Sequence, residues 1–542
     1  MAELALGIVG VTGAVDTSIK LAKYLIETFR TYRDSAQILE EKIVFIEAIW
    51  VKVERQLNFL RSISDSLDPE FAESQFKLVG ILGTKLYQLA SRLENYTSSS
   101  GTESASLRRK WGEKYKRIRF STDLRSGLDI LVDELRVWSD LFDPSWYHIS
   151  RISNNAIDYT LFKTESQVPH LDQNADPIRR LKTLRAVINP GTTFPDAGYK
   201  APPLSYGEDS LGAHNDEIIL YSAATAIKRT NFRTQGVLIR ERIPCPPETA
   251  SQVKSDVESL ARRLQQVDPD TFGLLQCYGL IKHRDPNTKA LQAIDAIYRT
   301  PDTAEPPTSL RQHLLQQRPI SITAIVQLAK ELIKSVSYIH ACNFVHKNIT
   351  PENILIFSNN QSSLGRGFLL GFDQFRNANF QTSYFGDFAW HRNLYRHPQR
   401  QGPFVQDRYI MQHDIYSIGV CLLEIGLWQS FVCYPDFMNA DTTPTLGETI
   451  RAIGLQLTNK AFETRDLDIF MQIKDCLVAL ARSNLPHRMG DRYTDIVLAC
   501  LTCLDLGNET FMAGRELEDE DGIMIGVRYI ENILLKINDI SV

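Results

Sequence analysis

Apolar residues recur at steps of three and four through the first 145 positions. Ile43, Ile46, Trp50, Val53, Leu57 and Leu60 form one such stripe, and Leu78, Leu82, Leu86, Leu89 and Leu93 form another. Leu124, Leu128, Leu131, Leu135, Trp138 and Phe142 form a third, and Leu4, Ile8, Val11, Val15, Ile19, Ala22 and Ile26 a fourth. Each spacing marks one apolar face of an amphipathic helix. Four such faces must bury one another, so the spacing predicts an all-α bundle over residues 1–190, closed by a short helix from Pro177 to Ile188. The run from Asn189 to Asp216 is rich in Pro, Gly and Ser and has no period, which marks a linker over 191–216. Beyond it the period changes. Short strand-like runs stand at Val237–Ile239, Leu274–Tyr278, Ala293–Tyr298, Ile354–Phe357 and Phe368–Leu370, and long helical patterns follow. Strands first and helices later predict a bilobal α+β domain over 217–542, with a small lobe over 217–300 and a large one over 301–542.

The length of 542 residues agrees with more than one core. A net charge of −5 gives no global attraction to nucleic acid, so no nucleic-acid partner is expected. All eight cysteines lie between Cys245 and Cys503, a distribution that fits a reducing cytosol better than a disulfide framework. Cys500 and Cys503 form a CxxC, but no second pair stands at zinc spacing, so they read as two thiols on a buried helix. No stretch of 18 apolar residues predicts a spanning helix, and Glu3 without a basic flank makes a poor signal peptide.

The segment Tyr338–Phe357, YIHACNFVHKNITPENILIF, carries a specific pattern. His340, His346, Pro351, Glu352 and Asn353 match, in identity and spacing, the catalytic-loop run H-x-x-x-x-[IV]-H-R-D-L-x-P-x-N of protein kinases. Leu370-Gly371-Phe372-Asp373 stands where Asp-Phe-Gly would follow the next strand. Tyr395 to Gln399, then Asp414 to Gly419 with Glu424 and Trp428, resemble two later kinase segments. Upstream, Val237-Leu238-Ile239-Arg240 resembles V-A-I-K, and Glu258 sits on a plausible helix 18 residues on. From about Ile218 onward the chain therefore resembles the protein kinase fold.

That resemblance implies an ATP site, with Arg240, Glu258 and Asn353 as its remnants. The chemistry it needs is depleted. Phosphoryl transfer wants a carboxylate to orient the substrate hydroxyl, a second one for magnesium, a glycine loop over the phosphates and a bridging lysine. Here the first position falls within His346-Lys347-Asn348, a neutral amide in place of the acid. The second is Gly371, leaving Asn353 and Asp373 as metal ligands only if the enzyme works at all. The run before Val237 has Gly236 as its only glycine, and Arg240 replaces the lysine, where it could pair with Glu258. The expectation is a pseudokinase with no assured cofactor, ATP and magnesium being doubtful. The alternatives are a divergent active Ser/Thr-type kinase and a non-enzymatic scaffold.

Between Arg108 and Arg119 lie seven basic residues in twelve, among them Arg108, Arg109, Lys110, Lys114 and Lys116, interleaved with Trp111 and Tyr115. This texture, behind an apolar N-terminal stripe, is similar to the HeLo domain of fungal incompatibility and prion-associated proteins. The resemblance implies a cytoplasmic cell-death signalling role, with Leu4, Ile8 and Val11 and the basic run meeting an anionic membrane surface. It equally implies self-association or contact with another signalling protein through the bundle. The layout as a whole is similar to that of the mixed-lineage kinase-domain-like executioners of necroptosis, an analogy of architecture.

Overall fold

The computed structural model describes residues 10–30, 37–98, 127–165, 177–188, 203–229, 237–301, 305–358, 364–372, 376–377, 385–404, 409–435, 443–512 and 523–540, apart from 128, 140, 141, 144, 153, 456, 460, 461 and 463–466. The chain divides into two compact units, Met1–Ala186 with Gly191–Phe194, and Val187–Pro190 with Pro195–Val542.

The first unit is helical. Its elements are α1 (Gly10–Arg30), α2 (Gln37–Ile63), α3 (Pro69–Ser98), α4 (129–139), α5 (Asn155–Glu165) and α6 (Pro177–Ile188). The described parts of the four stripes become core: Val15, Ile26, Val53, Leu57, Leu60, Leu78 and Leu86 are buried, as are Leu135 and Trp138. Helix α1 lies close to α3, where a Cβ on Gly83 would stand 3.1 Å from the Ser18 Oγ. The Trp138 ring stacks on Phe142 at 4.4 Å, and its indole N–H donates to the Leu78 carbonyl at 2.8 Å. That pairing satisfies the polar end of a buried indole. Arg185 of α6, also buried, pairs with Asp158 of α5 and donates to the carbonyls of Ile149 and Asn154 at 3.0 and 3.1 Å. Its planar fork thereby ties the irregular stretch 149–154 to two helices. Helix α5 has no counterpart in the sequence reading, because its apolar positions, Ile157 and Leu161, make a stripe only two residues long.

The second unit joins a six-stranded sheet to a helical part. The sheet runs in the order β1-β5-β6-β4-β3-β2, with β1 (Ser205–Tyr206), β2 (His214–Ile218), β3 (Thr225–Arg229), β4 (Val237–Pro244), β5 (Cys277–Arg284) and β6 (Leu291–Arg299). Strand β1 is parallel to β5, and the other pairs are antiparallel. Residues 205–216, expected to be linker, thus include two strands of this sheet. The reason is that β1 and most of β2 are exposed edges with few apolar residues, so hydrophobic alternation does not mark them. Strand β5 begins at Cys277 and not at Leu274. Helix α7 (Ala250–Leu264) packs on β5 and β6.

The helical part begins with β7 (Thr308–Ser309), α8 (Leu310–Gln316) and α9 (Ile322–Ala341). Ser309 and Ser321 cap α8 and α9, accepting the N–H groups of Gln312 and Ala324. Next come β8 (Phe344–Val345), β9 (Ile354–Phe357) and β10 (Arg366–Leu369), then α10 (Met411–Leu427), α11 (Leu467–Met489) and α12 (Asp491–Leu501). Every residue of α10 is buried. Helix α12 approaches it so closely that a Cβ on Gly419 would stand 2.7 Å from the Cys500 Cβ. All eight cysteines are free, Cys500 and Cys503 among the buried ones. Among the described residues no helix is long and apolar enough to cross a membrane.

Candidate functional site

The segment matched to the catalytic loop, between β8 and β9, is held by one buried carboxylate. Asp414, on α10, accepts the backbone N–H of His346 at 2.8 Å and of Lys347 at 2.9 Å. His340 Nε2 and the Tyr409 hydroxyl approach the same carboxylate at 3.0 and 2.8 Å. Burial pushes the Asp414 pKa up, but the hydrogen bond and charge of His340, with the contributions of His346, outweigh it and hold the carboxyl below its ordinary value. Two of these four contacts are backbone amides, so Asp414 fixes the loop backbone whatever side chains the loop carries.

The loop presents Asn348 and Asn353 together. The Asn353 amide donates to the Asn348 carbonyl at 2.8 Å, and the Asn353 carbonyl accepts the N–H of Leu370 at 2.7 Å. This last bond brings Gly371 against Asn353. Gly371 has φ +91°, and a Cβ there would stand 2.3 Å from Asn353 Cγ. The residue matched to the metal-binding acid therefore lacks a side chain and has no room for one. Phe372, next along, lies 4.9 Å from the His346 ring and 6.4 Å from Tyr298 at the end of β6. Asp373 lies outside the described residues.

The sheet's contribution departs from the sequence reading. In an antiparallel pair, residues directly opposite share a face. Arg240 is opposite Ile297, whereas Glu241 is opposite Ala296, itself opposite Leu280. Ile239, Glu241 and Ile243 consequently share a face with Tyr298 and Lys282. Lys282 bonds Glu258 of α7 at 2.6 Å, so this is the face that α7 covers. Arg240 stands on the opposite face. It pairs there with Asp216 and lies 3.9 Å from Asp295, which also takes a two-pronged bond from Arg242 at 2.7 and 2.9 Å. The Arg240–Glu258 pair expected from spacing is not formed, because a one-residue change of phase in a strand exchanges its faces. The group turned toward α7 and Phe372 from β4 is the buried carboxylate Glu241, 3.3 Å from the Tyr298 hydroxyl. The signal was present in the sequence: Ile239 and Ile243 set the phase, and Glu241 falls in step with them.

Sequence reasoning also missed a buried ion cluster beneath the loop. Arg311 of α8, fully buried, donates to Glu352 at 2.9 Å, to the Ser430 hydroxyl at 2.7 Å and to the Tyr395 hydroxyl at 2.6 Å, and pairs with Glu424 of α10. Tyr395 donates in turn to Glu424 at 2.7 Å. No local pattern around Arg311 announces partners that lie 41 to 119 residues away.

Among the described residues no cluster of His, Cys, Asp and Glu is arranged to hold a metal ion. In the first unit, Val11 is buried in the bundle and so is not presented to a membrane or partner in this conformation. Leu4, Ile8 and the basic residues Arg108, Arg109, Lys110, Lys114 and Lys116 lie outside the described residues.

No protein-family model matches the chain. It does have distant similarity to protein kinases. It is 24% identical over 206 residues to a leaf rust 10 disease-resistance locus receptor-like protein kinase-like protein of Arabidopsis thaliana, covering 36% of this chain and 26% of that protein. It is 25% identical over 119 residues to a probable serine/threonine-protein kinase of Dictyostelium discoideum, covering 22% of this chain and 7% of that one. A second probable serine/threonine-protein kinase of the same organism is 24% identical over 172 residues, 30% of this chain and 14% of its own length. The chain thus spans about a quarter or less of the length of these relatives. They support a kinase-like domain and a kinase-related signalling protein.

Proposed function

We propose that this chain is a signalling pseudokinase: a bilobal kinase-like domain that binds and relays without transferring phosphate, joined to a HeLo-like helical bundle that acts as its effector. The observation that carries the reading is the approach of Gly371 to Asn353, which leaves no space for the carboxylate that would hold magnesium. Asn348 in place of the proton-accepting acid supports it, because a neutral amide has no useful basicity. Glu241 supports it too. A carboxylate on the face where a phosphate-binding lysine is needed repels the charge that the lysine would attract.

Bringing the positions in register assigns Arg240 no role at the nucleotide. The remaining candidates are Asn353 and, for a metal, Asp373. A second reading, a divergent active Ser/Thr-type kinase, is favoured by the printed names of the relatives, which are kinases. The two are separated by incubating the purified full chain with γ-labelled ATP and magnesium or manganese. The expected result is no labelling above an Asn353→Ala, Asp373→Ala control. Labelling that is lost in that control establishes the enzyme and overturns the proposal. For the bundle, dye release from anionic vesicles by the full chain, sensitive to Leu4→Glu, Ile8→Glu or neutralisation of Arg108, Arg109, Lys110, Lys114 and Lys116, tests membrane action. Unchanged release favours a protein partner or self-association.

A further inference from the structure

The loop between β2 and β3, residues 219–224, occupies the place where a nucleotide-binding domain of this layout would carry its phosphate loop. It has no glycine. Tyr221 nevertheless adopts φ +62°, a left-handed conformation that costs a residue with a Cβ and persists only where surrounding contacts hold it. Two such contacts are present. The buried Ser309 hydroxyl donates to the Leu220 carbonyl at 2.6 Å. The Tyr221 ring lies 5.2 Å from the Tyr434 ring. Ser309 belongs to the start of α8, and the Tyr434 hydroxyl donates at 2.9 Å to Glu352, which Arg311 holds. Both anchors belong to the helical part.

We propose that the β2–β3 loop is a latch that ties the sheet to the helical part of the second unit, through Ser309–Leu220 and Tyr221–Tyr434, and that its release frees the two from each other. The forces are matched in scale. The hydrogen bond and the ring pair are each of the order of the strain stored at Tyr221, so loss of either shifts the equilibrium measurably. Release would also withdraw Tyr434 from Glu352, carrying the movement to the loop that bears Asn348 and Asn353. The proposal rests on the contacts of Leu220 and Tyr221 and on the kinase-like layout, and is independent of whether phosphate is transferred, which labelling reads separately.

Hydrogen exchange of the full chain, followed by mass spectrometry, tests it. In the unaltered protein the amides of 219–224 should exchange slowly, and millimolar ATP with magnesium should leave them unchanged. Tyr221→Gly removes the ring while accepting the positive φ, and Tyr434→Ala removes its partner. Each should speed exchange at 219–224 by about tenfold, the scale of one net contact, and leave α10 unchanged. Tyr434→Phe keeps the ring and should fall between. Three results would overturn the latch: loop exchange in the unaltered protein as fast as in an unstructured peptide of the same sequence, no change in either variant, or strong added protection by ATP.

Discussion

Gly371 stands so close to Asn353 that any side chain on it would overlap the amide, at 2.3 Å from Cγ. The missing acid is therefore not a single substitution away. Restoring both carboxylates with Asn348→Asp and Gly371→Asp should not produce phosphotransfer. Gly371→Ala alone should destabilise the second unit by about 1–3 kcal/mol, from the positive φ and the overlap together. A denaturant titration and a labelled-ATP assay measure the two halves. A double variant that transfers phosphate would sink the argument.

Arg311 pairs with Glu352 and with the fully buried Glu424, so removing it leaves two carboxylates uncompensated. Arg311→Met should cost about 3–5 kcal/mol of the second unit's stability. Adding Glu424→Gln should recover part of that loss, since the charge left behind is the larger burden. The denaturation midpoints of the two single variants and the double one read the coupling directly. Strict additivity would mean that the two groups do not act together.

Acid should weaken the second unit through two buried histidines. His397 is buried against Tyr416 and His413, and burial lowers its pKa from 6.5 to about 3. His413 is lowered as well, burial again being the main cause. Below pH 6.5 the unfolded chain binds protons at these rings that the folded chain refuses, down to about pH 3 at His397, so stability falls as pH falls. Each ring contributes up to about 1.4 kcal/mol per pH unit in that window. His397→Asn keeps an acceptor for the Gln399 N–H and should flatten the decline between pH 6 and 5 by one ring's share. Thermal midpoints at a series of pH values test this, and an unchanged slope would count against it.

Arg240 and Lys282 should behave oppositely to their spacing in the sequence. Arg240→Met, on the face away from α7 and paired with the exposed Asp216, should cost no more than about 1 kcal/mol. It should leave exchange of the α7 amides unchanged. Lys282→Met removes the partner of Glu258 and should speed exchange in α7. The reverse result would return Arg240 to the α7 face.

What could be read from the sequence follows the range of the interactions involved. The stripes through Trp50, Leu86 and Trp138 and the helix Pro177–Ile188 were legible because a helical face is written within a dozen residues. The loop around His346 and Asn353 was legible because it is a contiguous pattern. Strand β2 was not, since His214 to Ile218 is polar, exposed and placed only by its partner β3. The V-A-I-K resemblance points Arg240 to the wrong face, whereas the alternation of Ile239, Glu241 and Ile243 gives the right one. The cluster at Arg311 was illegible in principle, since its partners come from three distant segments.

Asp414 grips its loop through the amide hydrogens of His346 and Lys347, and every amino acid except proline supplies such a hydrogen. A scaffold fastened this way is indifferent to the chemistry displayed on it. Mutations at Asn348 can accumulate, be lost or be exchanged with no loosening of the backbone beneath. A domain of this kind keeps its shape whichever residue stands at position 348.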